Sequence, residues 1–535
     1  MQPDRKTIEL KDFTRPGTKD SAHGIRCAIK EAIRIGAERV TFEPGTYLLG
    51  STEFFQTEGM THDHGSGTNR NGKDVHIPVS GSNNLCLCGA IDAEGNPATI
   101  LAGKNDRAIH GFLPAILWCE NNSNLTLKNI GFTREPVFAS AGEVIHIAED
   151  VVSIKLLDGI PDPEGQDAYC MNRFDRNGNL TGESVTYGGG AGARWERKGS
   201  LYTLKSAAVA SQVNPGEFLS WHQGAQTDFQ VYFGHIQNLK LRNLRTYNCN
   251  GFAFLSEQCR NIDAEKVVFT PDGNRLFTGP RDAWKLFKCQ GRIHISGLYV
   301  RGVRMDGQNV HSNWLTLLEK TSSHTYLCFA PYTYAPIAAS SLLEYYEGFE
   351  KKSVLIVTAE HAGPHENGHL YAITLEEPLP ETQGKGVLLA AACWEPDTYT
   401  CIKSKFINIA GAGHLLRTDN VLLEDNAYRN TMNPGVLLGA ELPTHSEGGH
   451  ATNVIIRKSV FDNCGFFPRY SAGGCIGIKS AGFDGPYNTD ITIEDNLFRN
   501  AEVGMHLLDA GKVTEQRNRF EDIAHPISRK LMTAD

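Results

Sequence analysis

The chain has 535 residues, 40% hydrophobic and 21% charged, with 54 glycines and no low-complexity run, which excludes a disordered or fibrous protein. A net charge of −9 with scattered lysines and arginines gives no electrostatic footprint for nucleic acid, and leaves a neutral or weakly acidic substrate open. No segment supplies the roughly 18 uninterrupted apolar residues of a membrane span, and the opening MQPDRKTIELKDF lacks the apolar core of a signal peptide.

TIELKDF reads as a strand. Ser21 is placed to N-cap SAHGIRCAIKEAIRIGA, in which Ile25, Ala28, Ile29, Ala32 and Ile33 share one helical face. ERVTFEPGTYLL then gives a strand, a Pro44-Gly45 turn and a second strand. A helix followed by V-x-F-x-P-G-x-Y resembles the cap that opens pectate-lyase-like β-helix proteins, whose first coil would otherwise expose an apolar end and a strand edge.

Repetition follows. NLTLKNIGF from Asn124, NLKLRNLRTYN from Asn238, NIDAEKVVF from Asn261 and RIHISGLYV from Arg292 share an alternating strand, a turn and a second strand. NVLLEDNAYRN from Asn420, NVIIRKSVFDN from Asn453, DITIEDNLFRN from Asp490 and VTEQRNRFED from Val513 repeat the pattern. Alternation turns Val421, Leu423, Val454, Ile456, Ile491 and Ile493 inward. One such coil cannot bury its apolar face, whereas stacked coils can. The expected fold is all-β: a right-handed parallel β-helix with an N-terminal helical cap and two inserted small antiparallel β modules. Residues 1–147 form the cap and first coils, 148–228 the first insert, 229–320 the central coils, 321–399 the second insert and 400–535 the last coils.

Thirteen cysteines, most in apolar strand contexts such as Cys249, Cys259, Cys289 and Cys401, predict reduced thiols rather than a disulfide framework or a CxxC metal site. Cys86 and Cys88 in LCLC alternate with leucines and would share a strand face. No cofactor is implied, and the expectation is a cytoplasmic protein, compatible with a homo-oligomer, that meets neither nucleic acid nor membrane. His62 and His64 around Asp63 lack further ligands at metal spacing and read as a solvated loop.

The richest polar stretch is RDAWKLFKCQGRIHISGLYVRGVRMDGQNVHSNWLTLLE. Asp282 and Asp306 open corresponding strands 24 residues apart, which stacks them on neighbouring coils near the ~4.8 Å strand spacing. Two such carboxylates perturb each other's pKa, as acid/base chemistry requires. Asp beside Gly is also an ordinary β-helix turn residue. Asn309 and His311 alternate on one strand and share a side.

DAWKLFKCQGRIHISGLYVRGVRMDGQNVHS resembles the signature of glycoside hydrolase family 110, the α-1,3-galactosidases. GVLLGAELPTHSEGGHATNVIIRKSVFDNC is similar to that family's Glu-Gly loop and following coil. The resemblance implies hydrolysis with inversion by three aspartates, one an acid and two activating water. Asp282 and Asp306 match the water-activating pair. Met305 stands at the acid's position and cannot donate a proton. Glu257, in GFAFLSEQC, and His311 are candidates to replace it, and Glu447 matches a loop glutamate suited to a sugar hydroxyl. Arg304, Asn309 and His311 are candidate substrate ligands. Trp284 is a candidate apolar platform for a sugar face, as are Trp221, Trp314, Phe467 and Tyr470, although Trp284 also alternates as a core residue would.

The expected function is an exo-acting glycoside hydrolase on a terminal α-linked, galactose-like hexose of an oligosaccharide. The alternatives are a lyase or epimerase on an acidic sugar, with Arg304 or His311 as base, and a non-catalytic carbohydrate-binding relative.

Overall fold

A computed structural model describes residues 7–62, 69–104, 113–137, 139–186, 192–222, 229–442, 446–467, 473–483 and 485–529, and the side chains of these except 57–62 and 69–72. No helix among the described residues is long and apolar enough to cross a membrane.

Short strands stack in parallel register into three long sheets. The first runs from Thr7–Glu9 through Cys86–Cys88, Arg260–Phe269 and Gln290–Ser296 to Val513–Gln516. The second carries Gly45–Leu49, Thr99–Lys104, Ile130–Glu135, Tyr299–Val303 and Lys405–Ile409. The third, which bears the site, stacks Ala115–Glu120, Phe229–Gly234, Phe252–Glu257, Trp284–Phe287, Gln308–Asn313, His414–Leu416 and Val436–Leu438. The chain is a parallel β-helix.

The repeat explains itself locally. Asn124, Asn238, Asn261, Asn420 and Asn453, which begin the repeated segments, all have φ between 53° and 62°. Asparagine tolerates this left-handed turn, and its side chain bonds the coil below. Asn238 Nδ2 donates to Asn124 Oδ1 at 2.9 Å, Asn261 to Asn238 at 3.0 Å and Asn453 to Asn420 at 2.8 Å.

Val421, Leu423, Val454, Ile456, Ile491 and Ile493 are all buried in one core. Each such side chain contributes about 1.5–3 kcal/mol, against about 0.2–1 kcal/mol for a cross-strand pair. The inward face therefore decides the register. Within it Phe406, Tyr428, Phe461, Phe498 and Phe520 stack ring on ring at 4.8–5.2 Å, one per coil.

Helix Ala22–Ile35 covers the first coil with Ile25, Ala28, Ile29 and Ala32 and ends on left-handed Gly36. Ser21 occupies the N-cap position but its side chain caps nothing; Asp20 Oδ1 accepts from Ala22 N at 3.0 Å, while the same carboxylate takes the Gly50 and Ser51 amides. Aspartate is the stronger acceptor for several amides at once.

Two antiparallel modules interrupt the coils. A seven-stranded sheet spans Ala139–Ala148 to Phe218–His222, with Trp195 and Trp221 in its core. It begins nine residues before position 148, because Ala139–Ala148 pairs antiparallel with Phe218–His222 and so leaves the coil pattern. A closed six-stranded barrel runs from Leu315–Lys320 to Leu388–Ala391, with its own core around Tyr326, Tyr371 and Trp394. Its first strand continues directly from Gln308–Asn313, so the barrel stands against the third sheet.

Candidate active site

Trp284 pairs with Gln308 in the third sheet, which stacks Asp282 over Asp306 two residues earlier. Ala283 N donates to Asp306 O at 3.0 Å, and Asp306 N donates to Asp282 Oδ1 at 3.3 Å. Asp306 Oδ1 accepts from Ala412 N at 2.7 Å. Gly411 makes this approach possible: a Cβ there would lie 2.6 Å from Asp306 Oδ1 and 2.6 Å from the Met305 carbonyl carbon.

Outward residues of the same strands build the floor. Leu286 and Val310 point into the core, so Lys285, Asn309 and His311 point out. Above them lies the two-residue strand Glu447–Gly448, paired antiparallel with Ser312–Asn313. Glu447 Oε1 meets Lys285 Nζ at 3.1 Å, Asn309 Nδ2 at 3.3 Å and His311 Nε2 at 3.4 Å, while Oε2 meets Arg417 Nη1 at 2.5 Å. Asn309 Nδ2 also reaches Asp282 Oδ2 at 3.5 Å, joining the aspartate pair to the glutamate. Asp282, Lys285, Asn309, His311, Arg417 and Glu447 are all 5% exposed or less. Charges so deeply placed persist because they are paired.

Burial, and then the neighbouring Asp282 carboxylate, push the Asp306 carboxyl up to about 7. Burial also raises Asp282, but Lys285 and Arg281 offset part of that. The two carboxylates therefore titrate as a coupled unit rather than independently. His311 Nδ1 lies 2.7 Å from the Ser312 carbonyl, which can only accept, so the ring proton sits on Nδ1. Burial holds His311 down to about 3, despite Glu447. The 3.4 Å contact with Glu447 is thus one of a neutral imidazole, and His311 is not a charged proton donor at neutral pH.

The structure brings together Asp282, Asp306, Asn309, His311 and Glu447. It separates three others from them. Glu257 lies opposite Phe287, five positions along the strand from Asp282, roughly 16 Å at ~3.3 Å per residue. There it accepts from Tyr232 Oη at 2.8 Å. Arg304 points into the inserted sheet, where it donates to Asn172 Oδ1 at 2.7 Å and Ser220 Oγ at 3.0 Å and covers the Phe277 ring at 4.0 Å. It docks the module rather than lining the floor. Trp284 is a core residue whose indole donates to Ser256 Oγ at 3.0 Å, so it offers no sugar platform. Trp221 and Trp314 are likewise buried. Tyr470 and the side chains of 62–64 lie outside the described residues.

Lys285, Arg417 and Tyr332 were not among the expected site residues. Lys285 carried a signal, as the one charged residue inside an apolar strand of known parity. Arg417 is brought in from the next coil, where Arg417 N donates to Val310 O at 2.9 Å. Tyr332 comes from the barrel, has a left-handed φ of 71°, and packs on the cluster containing Phe252 and Phe287. Burial, with Glu447 and Glu441 nearby, pushes its hydroxyl up to about 12.

Fold and site together define a parallel β-helix protein with a buried carboxylate cluster on the outer face of one sheet, beneath an inserted barrel. No protein-family model matches the chain. Over 532 residues it is 20% identical to alpha-1,3-galactosidase A of Shewanella woodyi, covering 92% of this chain and 82% of that protein. It is 25% identical over 252 residues to alpha-1,3-galactosidase B of Phocaeicola vulgatus, where the match spans 44% of this chain and 41% of the relative. Among solved structures, a mannuronan C-5 epimerase A-module of Azotobacter vinelandii aligns over 98% of both chains, at 11% identity and a TM-score of 0.42. The chain is glycoside hydrolase family 110-like, resembling the α-1,3-galactosidases.

Proposed function

We propose that the protein is an exo-acting glycoside hydrolase that removes a terminal α-linked, galactose-like hexose from an oligosaccharide, with inversion. The observation that carries this reading is the stacked Asp282–Asp306 pair tied through Asn309 to Glu447. Both motifs quoted for the α-1,3-galactosidase resemblance contribute to that cluster. A water between the two carboxylates gives its proton to the pair as its oxygen attacks the anomeric carbon, and the glycosidic C–O bond breaks. Asn309, Lys285 and Arg417 supply donors for sugar hydroxyls and hold Glu447 in place. The departing oxygen takes its proton from water, since Met305 cannot give one.

That last point predicts an unusual substrate ratio. A general acid contributes typically 10²–10⁴-fold when the leaving group is a sugar alkoxide. Turnover of an aryl α-galactoside with an acidic phenol should therefore exceed that of an α-1,3-linked disaccharide by at least about 10²-fold. Release of the β-anomer first, followed by NMR during turnover, supports inversion; release of the α-anomer, or no release of monosaccharide from any α-galactoside, overturns the proposal. Glu257→Gln should leave kcat/KM on the α-1,3-linked disaccharide within about twofold, since loss of a proton donor would there cost about 10²-fold or more.

A lyase or epimerase reading draws less support. Arg304 is engaged by Asn172 and Ser220, and the free electron pair of His311 faces Glu447.

A further inference from the structure

Strand Cys86–Cys88 belongs to the first sheet, far from the aspartate pair, between Arg39–Thr41 and Thr126–Lys128. Leu85 and Leu87 are buried in the core, so both thiols project outward and are half-buried. The register sets Arg39 beside Cys86 and Lys128 beside Cys88. Cys88 Sγ donates to the Gly89 carbonyl at 3.7 Å, which leaves its lone pairs free to face Cys86 along the strand. Cys86 also lines an open concavity of about 600 Å³ with Arg39, Asn84, Asn124, Thr126 and Lys240, which admits solutes to its thiol.

We propose that Cys86 and Cys88 form a two-coordinate binding site for a soft monovalent metal ion of the Cu⁺ class. Soft thiolates select such an ion over harder ones. Among the described residues no group of three or more His, Cys, Asp or Glu could hold a metal, which removes the tetrahedral thiolate sites of zinc. The spacing also argues against a direct disulfide. Two residues of extended strand separate the Cβ atoms by roughly 6.6 Å, beyond the ~3.5–4.5 Å that a disulfide needs. An ion between two sulfurs adds a metal–sulfur bond on each side and so spans the gap once the side chains lean together.

The step balances without a redox change. Two thiols and one Cu⁺ give an S–Cu–S bridge of net charge −1 and two protons. Arg39 and Lys128 flank that negative charge. The other cysteine pairs differ. Cys289 beside Cys259 and Cys475 beside Cys464 are buried in the core, out of reach of an ion from solvent.

The test uses the full chain, reduced and anaerobic, with Cu⁺ presented as its coloured bathocuproine complex. One equivalent should be withdrawn by the wild type and by Cys27→Ser and Cys393→Ser, and none by Cys86→Ser or Cys88→Ser. On the unmutated protein, one equivalent of Cu⁺ should protect Cys86 and Cys88 from iodoacetamide, read by peptide mass spectrometry. Failure of the wild type to compete, retention of binding by both serine variants, or alkylation of Cys86 and Cys88 undiminished by Cu⁺ would each overturn the proposal.

Discussion

Asp306→Asn is expected to lower kcat/KM on an aryl α-galactoside by about 10²–10⁴-fold, and Asp282→Asn by a similar factor. Both carboxylates contact one attacking water in the proposed mechanism, and each substitution keeps shape while removing a proton acceptor. The single-variant losses should not add in the double variant, because the two groups act as a unit. Loss from one variant alone would confine the base to that residue, and unchanged rates in both would remove the pair from the chemistry.

The pH profile adds an independent handle. With Asp306 raised to about 7, the proposed base is increasingly ionised as pH rises through neutrality, so kcat/KM should climb with a midpoint near 7. The same shift has a stability consequence of definite sign. The folded state binds this proton more tightly than the unfolded chain, whose carboxyl titrates near 3.9. Between about pH 4 and 7 the folded state holds more protons, so its stability falls as pH rises through that window. Asp306→Asn should remove this term and stabilise the fold at pH 7.5 by on the order of 2 kcal/mol, taking 1.36 kcal/mol per pKa unit and discounting for remaining solvent access. Urea unfolding at pH 4.5 and 7.5 checks both the sign and the loss of slope. An inactive variant that is more stable at pH 7.5 is the signature of a strained functional carboxylate rather than of a damaged fold.

How much of this was legible in the sequence follows from which contacts are periodic. Stacking makes coil length a ruler, so the placement of Asp282 against Asp306 could be read from spacing alone, and the parity of Asn309 and His311 from alternation. The same parity identifies Lys285 as outward, beside Leu286 in the core. Glu257 shows the limit. It is indeed one coil before the pair, but its position along the strand puts it opposite Phe287, and coil counting alone does not fix that coordinate. Arg304 and Tyr332 were illegible for another reason. Their surroundings come from inserted antiparallel modules, which have no register with the coils. Asn172 and Ser220, which hold Arg304, lie 132 and 84 residues away from it. Trp284 followed the simple rule, since an aromatic in phase with Leu286 is core.

Glu447→Ala should destabilise the protein by about 3–5 kcal/mol, the usual penalty for leaving a buried charge without its partner. Here one carboxylate faces both Lys285 and Arg417, and all three side chains are 7% exposed or less. Removing it leaves two largely buried cations without the carboxylate that faces them both. The interior position makes the penalty resistant to salt, unlike that of a surface pair. A double-mutant cycle separates attraction from desolvation. If Lys285→Met and Arg417→Met are each destabilising in the wild type but neutral or stabilising in Glu447→Leu, the cluster is retained for its arrangement of donors and not for net stability. In that case the triple apolar variant should fold at least as firmly as the wild type, as read by urea midpoint, and bind no sugar. A loss below about 1 kcal/mol for Glu447→Ala would instead mean that water enters the cluster freely, and that Glu447 meets its cations as a solvated surface pair does.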